Sequence, residues 1–245
     1  MRLGRNDIHV VYADAAALVA AAGGVERALA WLQPTEPERF TRYRADADRM
    51  MFLGGRLLAR GLVGRALGVG PMAWRWREGA HGRPDIADPP TSLRFNISHS
   101  AGMVVCALAE GRDVGVDVEH LTRPPVDPRI VRRYCSPDEA VDCEAQGAAW
   151  QDRFLRYWTL KEAYLKARGL GVSVPLDEIT FDLQGDDARV RFHGSLAGGD
   201  TRWALRLYLP TPQHLIAVAA STADGTVPVI TLDNNLQDLF AAPRH

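Results

Sequence analysis

Apolar residues recur at helical spacing over two long stretches of this chain and in short blocks elsewhere. Between 46 and 67, Met50, Phe52, Leu53, Leu57, Leu58 and Leu62 make one broad apolar face, which predicts a long amphipathic helix. A second strong helical pattern covers 149–168, with Gly169 and Gly171 to stop it; further helical signals lie at 24–33 and 128–147. Residues 8–12, 103–109 and 114–118 are apolar runs that predict strands, and alternating runs near 178–183, 188–193, 202–209 and 214–220 predict four more. Glu110-Gly111-Arg112-Asp113 between two of these strands has the composition of a hairpin turn. Gly, Pro and Asp crowd residues 78–92, which predicts a loop, and 227–245 has no clear period, which predicts a peripheral tail.

Helices mixed with hairpin-linked strands predict an α+β fold rather than a doubly wound parallel sheet. Each half shows a long helix followed by antiparallel strands. The expected organisation is therefore an N-terminal half at 1–112, a C-terminal half at 113–226 and a tail at 227–245. The pattern hints at a structural duplication, although the two halves share no clear sequence repeat. Neither GxGxxG nor GxxxxGK[ST] occurs, which argues against Rossmann and P-loop chemistry.

Composition narrows the classes further. The 245 residues are 47% hydrophobic and 24% charged, as in a folded chain with a core. A formal charge of −1 supplies no global basic field, so no nucleic-acid partner is expected and any polyanion must be held by local clusters. Cys106, Cys135 and Cys143 form no CxxC pair or zinc spacing and are expected to be reduced thiols. The N-terminus lacks a signal-peptide pattern and no apolar stretch is long enough for a bilayer, so the expectation is a cytoplasmic protein without a membrane partner.

Two runs carry the candidate chemistry. Gly115-Val116-Asp117-Val118-Glu119 places two carboxylates at i and i+2, on one face of a strand. Trp158-Thr159-Leu160-Lys161-Glu162-Ala163-Tyr164-Leu165-Lys166 places Glu162 and Lys166 one helical turn apart. Taken singly, the acids could be a solvated outer face, and Glu162 with Lys166 a surface ion pair worth only about 0.3–0.5 kcal/mol. Taken together, Asp117, Glu119 and Glu162 are hard oxygen donors for a divalent cation, and Lys166 is a point charge for a phosphate. That is the outline of a phosphoryl-transfer site. Phe95-Asn96-Ile97-Ser98-His99-Ser100, at an expected loop-to-strand boundary, offers an anion cradle. A Ser-His hydrolase is a second reading of it, but no GxSxG elbow is present. Among the scattered arginines, Arg83 between Gly82 and Pro84 is the strongest ligand candidate, followed by Arg44 and Arg49; Trp158 reads as core.

These blocks resemble the Sfp-type 4′-phosphopantetheinyl transferases in three motifs: F-N-x-S-H-S at 95–100, G-[VI]-D-[VI]-E at 115–119 and W-[ST]-x-K-E-[AS]-x-x-K at 158–166. The likeness spans roughly residues 39–220. It implies two similar α+β halves with the active site in the cleft between them, and a monomer. It implies Mg²⁺, with Mn²⁺ as an alternative, on Asp117, Glu119 and Glu162, and coenzyme A as co-substrate. Ser98, His99 and Lys166 would then contact phosphates, with Arg83 near the nucleotide and Arg44 or Arg49 near the adenosine phosphate. Glu162, Lys166 and His99 are the implied catalytic residues, with Glu162 acting as base directly or through a metal-bound water. The implied partners are apo acyl or peptidyl carrier proteins, and Arg129, Arg132 and Arg133 with Ile130, Val131 and Tyr134 form a candidate docking patch. A silent coenzyme A or carrier-binding module is the rival from another class.

Overall fold

The computed structural model describes residues 3–79, 82–124, 126–171, 174–222, 225–236 and 239–240. The architecture is α+β, and the chain forms two compact units, Met1–Arg112 with Val229–His245, and Asp113–Pro228.

In the first unit a four-stranded sheet runs in the order β11-β1-β5-β4, where β1 is Asp7–Asp14, β4 Leu93–Ser100, β5 Met103–Glu110 and β11 Val229–Asp233. The apolar run of 46–67 folds as α4 (Asp46–Leu67), and its Phe52, Leu53, Leu57, Leu58 and Leu62 are buried in one core with Val11, Val104, Cys106, Leu108, Trp74 and Phe95. Three short helices precede it, α1 (Ala15–Ala21), α2 (Val25–Leu29) and α3 (Glu36–Arg42). Only α2 falls within an expected helix, and it is shorter than 24–33. The alanine run of α1 was legible through its cap: the Asp14 carboxylate accepts from Ala17 N–H at 2.7 Å.

Three expectations are corrected in this unit. The supposed loop at 78–92 contains part of a two-stranded sheet, β2 (Arg75–Glu78) against β3 (Pro84–Asp88). The F-N-I-S-H-S block is not a loop but most of β4, paired with β5 from Leu93↔Glu110 to Ser100↔Met103. Its Asn96 and Ser98 are buried, so the hydrophobic alternation that marks a half-buried strand is interrupted. The supposed peripheral tail supplies β11, which pairs in parallel with β1 from Asp7↔Val229 to Val11↔Asp233, and buried Leu239. A Cβ added at Gly61 would come within 2.7 Å of the Leu239 carbonyl, so the glycine admits this segment against α4.

In the second unit a five-stranded antiparallel sheet runs β6-β10-β9-β8-β7. Here β6 is Val114–His120, β7 Ile179–Gln184, β8 Asp187–Phe192, β9 Trp203–Thr211 and β10 His214–Ser221. Helix α7 (Trp150–Arg168) ends at Gly169 as expected, and its Leu155, Leu160, Ala163 and Ala167 share a core with Leu215, Ala217 and Ala219 of β10. The helix expected at 128–147 is two, α5 (Arg129–Tyr134) and α6 (Pro137–Ala145). The break is written in the sequence as a capping box: Ser136 Oγ accepts from Glu139 N–H while Glu139 accepts from Ser136 N–H. β5 and β6 belong to different sheets, so residues 110–113 are a link and not a hairpin turn. Arg112 in that link is buried and donates to Arg5 O at 3.1 Å and Asn6 Oδ1 at 3.3 Å.

Candidate active site

The site in the second unit begins with a residue that has no side chain. Residues 115, 117 and 119 share one face of β6, and α7 packs against that face. A Cβ at Gly115 would lie 2.1 Å from the Ala163 carbonyl oxygen and 2.4 Å from Ala167 N, distances no side chain tolerates. Glycine on the strand and alanines on the helix therefore allow backbone-to-backbone contact. The polar groups farther along both elements are carried into one cluster.

Asp117, 5% exposed, accepts from Lys166 Nζ at 2.6 Å. Lys166 thus turns towards the strand carboxylate, and the isolated surface pair with Glu162 is not what forms. Glu119 has both oxygens engaged: Trp158 Nε1–H donates to Oε1 at 2.9 Å and Arg123 Nη1 to Oε2 at 3.1 Å. Glu162 is half-buried, and its Oε1 is enclosed with no hydrogen-bond partner among the described residues. An orphaned buried carboxylate oxygen is costly unless a cation or donor arrives to meet it.

The electrostatics agree with that geometry. Burial, then the charge of Asp117 and of Glu119, push the Glu162 carboxyl above its ordinary value, against a downward pull from Lys166. Glu119 is also raised, first by burial and then by Asp117, with Arg123 and the Trp158 indole opposing. The charge of Asp117 thus opposes ionisation of both Glu119 and Glu162. Among the described residues no three His, Cys, Asp or Glu side chains are arranged to hold a metal ion by themselves. The donor set nonetheless fits a hard divalent cation completed by phosphate and water oxygens, because a Mg²⁺ ion commonly takes only one or two carboxylates from the protein.

Trp158 and Arg123 were not singled out for the site from sequence. Trp158 is only half-buried, held between Tyr134 (5.1 Å, edge-on) and Phe154 (6.2 Å, stacked) with its indole N–H aimed at Glu119. Its place four residues before Glu162 on the helix was a usable signal. Arg123 lies beyond the strand, where no periodicity points to it.

The remaining candidates lie in the first unit. Arg44 is exposed between α3 and α4. Arg49, near the start of α4, donates to Tyr43 O at 3.0 Å and Asp46 Oδ1 at 3.1 Å. Arg83 stands just ahead of β3, 3.9 Å from Asp85. Ser98 is buried and His99 exposed on β4. Neighbouring residues on a strand point to opposite faces, so neither Ser98 nor Ser100 shares a face with His99, which removes the support for a Ser-His dyad. The docking candidates lie on α5, with Arg129, Arg132 and Arg133 exposed and Val131 buried, although Arg129 is engaged by Asp127. Cys106, Cys135 and Cys143 are free and buried.

Comparison with known proteins agrees with both units. A family model described as "4'-phosphopantetheinyl transferase, N-terminal" matches residues 21–111, and one described as "4'-phosphopantetheinyl transferase superfamily" matches residues 113–219. A phosphopantetheinyl transferase of Thraustochytrium sp. is 33% identical over 211 residues, covering 80% of this chain and 73% of that protein. A 4'-phosphopantetheinyl transferase of Bacillus subtilis is 31% identical, covering 83% of this chain and 88% of the relative. The 4'-phosphopantetheinyl transferase Sfp of the same species is 30% identical, covering 81% and 86%. Among solved structures, a Thermotoga maritima holo-[acyl-carrier-protein] synthase gives a TM-score of 0.38 at 19% identity over 44% of this chain and 62% of that one, a likeness too slight to argue from. The chain belongs to the 4'-phosphopantetheinyl transferase superfamily. No helix among the described residues is long and apolar enough to cross a membrane.

A raised carboxyl pKa has a stability consequence with a definite sign. Glu162 in the folded protein titrates above its ordinary 4.5, so its charge costs nothing below pH 4.5 and an increasing amount as pH rises through the raised value. Glu162→Gln should therefore raise Tm at pH 7.5, by about 2–4 °C, and the gain should vanish below pH 4.5. Asp117→Asn should show no such gain, because it also takes the carboxylate from Lys166. Differential scanning fluorimetry across pH checks this, and a lower Tm for Glu162→Gln at pH 7.5 would contradict it.

Proposed function

We propose that this protein transfers the 4′-phosphopantetheine arm of coenzyme A to a serine of an apo acyl or peptidyl carrier protein, releasing adenosine 3′,5′-bisphosphate. The observation that carries the reading is the partnerless, desolvated Glu162 oxygen beside two further carboxylates, in a chain of this family. A cluster that raises the proton affinity of Glu119 and Glu162 is poor structural design and good catalytic design.

The bond that forms joins the serine oxygen to the β-phosphorus, and the bond that breaks joins that phosphorus to the bridging oxygen of the leaving bisphosphate. Catalysis of such a displacement is mostly positioning and charge stabilisation. Asp117, Glu119 and Glu162 would hold Mg²⁺, or Mn²⁺ in its place, and the ion when bound supplies neutralising charge to the pyrophosphate. Glu162 would take the serine proton; burial and Asp117 raise its proton affinity in the ion-free site, and a bound cation would pull it back down. Lys166, oriented by Asp117, stabilises charge on the leaving side. The family resemblance adds His99 to that role, Ser98 and Arg83 to phosphate and nucleotide contacts, and Arg44 and Arg49 to the adenosine phosphate.

The decisive assay is intact-mass spectrometry of an apo acyl carrier protein incubated with this protein and coenzyme A, with and without Mg²⁺. The reading predicts a gain of one phosphopantetheine arm only when Mg²⁺ is present. No gain on any of several acyl and peptidyl carriers, with coenzyme A still bound by calorimetry, would replace it with a silent binding module.

Exposed basic residues on α5 suit an acidic carrier domain. Reversing charge at Arg132 and Arg133 should raise KM for the carrier about tenfold and leave coenzyme A affinity unchanged. An unaltered carrier KM would remove α5 as the docking surface.

A further inference from the structure

Beside Glu162 in sequence, a second charge points away from the carboxylate cluster. Lys161 is 1% exposed and its ammonium has three close partners in the second unit. Nζ lies 2.8 Å from Glu139 Oε2, donates to Leu176 O at 2.8 Å and also donates to Ile179 O. Glu139, itself 1% exposed, is equally committed: Oε2 accepts from Ser136 N–H at 2.9 Å and Oε1 from Phe181 N–H at 2.8 Å. One buried ion pair thereby ties the middle of α7 to the cap of α6, the turn at 176–178 and β7.

Such a pair is a poor stability device. Burial disfavours both charges, and well-packed apolar groups of similar volume commonly do as well or better. Its value lies in where it sits. The opposite face of α7 meets β6 through Gly115, Ala163 and Ala167, a contact of small groups that does not itself fix the rotation of the helix; large side chains such as Tyr164, edge-on to Trp203 at 5.0 Å, hold α7 elsewhere. Successive helical residues diverge by about 100°, so whatever fixes the direction of Lys161 also fixes the direction of Glu162.

We propose that the buried Lys161–Glu139 pair is a positioning device that sets the rotation of α7 and so aims Glu162 and Lys166 at the β6 carboxylates. This rests on the transferase reading above. Lys161 and Glu139 touch no substrate; they act through the residues on the other face of the helix.

The test replaces both charges at once, so that neither is left stranded. Lys161→Met/Glu139→Gln should stay folded at the assay temperature, with a Tm lowered by the Leu176 and Ile179 carbonyls that lose the ammonium, while kcat for carrier modification falls at least tenfold, an estimate from the sensitivity of such reactions to displacements of about 1 Å. KM for coenzyme A should rise as well, because Glu162 and Lys166 are among the groups that would hold the ion and the pyrophosphate. A role in stability alone predicts the reverse, full kcat in any variant that stays folded. If the double variant fails to fold, Lys161→Met alone, which leaves Glu139 its Ser136 and Phe181 N–H donors, should lose kcat about fivefold. Full kcat in whichever variant folds overturns the proposal.

A second readout separates this proposal from the function it rests on. Amide hydrogen exchange across residues 159–166 should accelerate in the double variant, and unchanged exchange overturns the proposal whatever the assay shows. Absence of transfer by the wild-type protein would instead overturn the function and leave the exchange result to judge the pin.

Discussion

Everything distinctive about the candidate site depends on how closely α7 lies against β6. The contact at Gly115 with Ala163 and Ala167 is backbone on backbone, and any side chain at 115 would hold helix and strand apart. With that spacing Lys166 reaches Asp117, Trp158 reaches Glu119 and the Glu162 carboxylate is enclosed near both acids. A wider separation would return the same residues to solvent, where they would be an ordinary set of surface charges worth little to one another. The glycine acts on charges it never touches.

Close packing of this kind also explains why the site is strained electrostatically. Three carboxylates share a desolvated region with one lysine and one arginine near them, and the structure leaves a Glu162 oxygen unsatisfied. Folded proteins retain such arrangements where a ligand uses them, and the surrounding structure offsets the penalty. Here the offset comes from rigid packing: a helix seated on a five-stranded sheet and an aromatic sandwich around Trp158.

Much of this was legible in the amino-acid sequence, and the failures have physical reasons. The helices at 46–67 and 150–168 announce themselves because their apolar positions repeat over many turns. Asp117, Glu119, Glu162 and Lys166 were legible because strand and helix periods place each pair on one face. β4 was misread because Asn96 and Ser98 are polar and buried, which breaks the alternation a strand normally shows. β11 was misread because a short strand paired on one side carries no period of its own. The role of Trp158 was missed because bulk suggested core, although its indole N–H needed a partner and its spacing to Glu162 supplied the direction. Lys161 illustrates the limit of reading by pattern: nothing local distinguishes a buried lysine from an exposed one until the tertiary partner, 22 positions back at Glu139, is in view.

The central claim is that Glu162 and the β6 acids form a poised site for a divalent cation, and it can be tested without following any chemistry. Tm would be measured against Mg²⁺ concentration at fixed, saturating coenzyme A for the wild-type protein and for Glu162→Gln. The wild-type Tm should climb with Mg²⁺, as linkage requires of an ion that binds only the folded state, while the Glu162→Gln curve stays nearly flat. Equal increments in the two proteins, or none in the wild type, would show that the cluster is not a cation site.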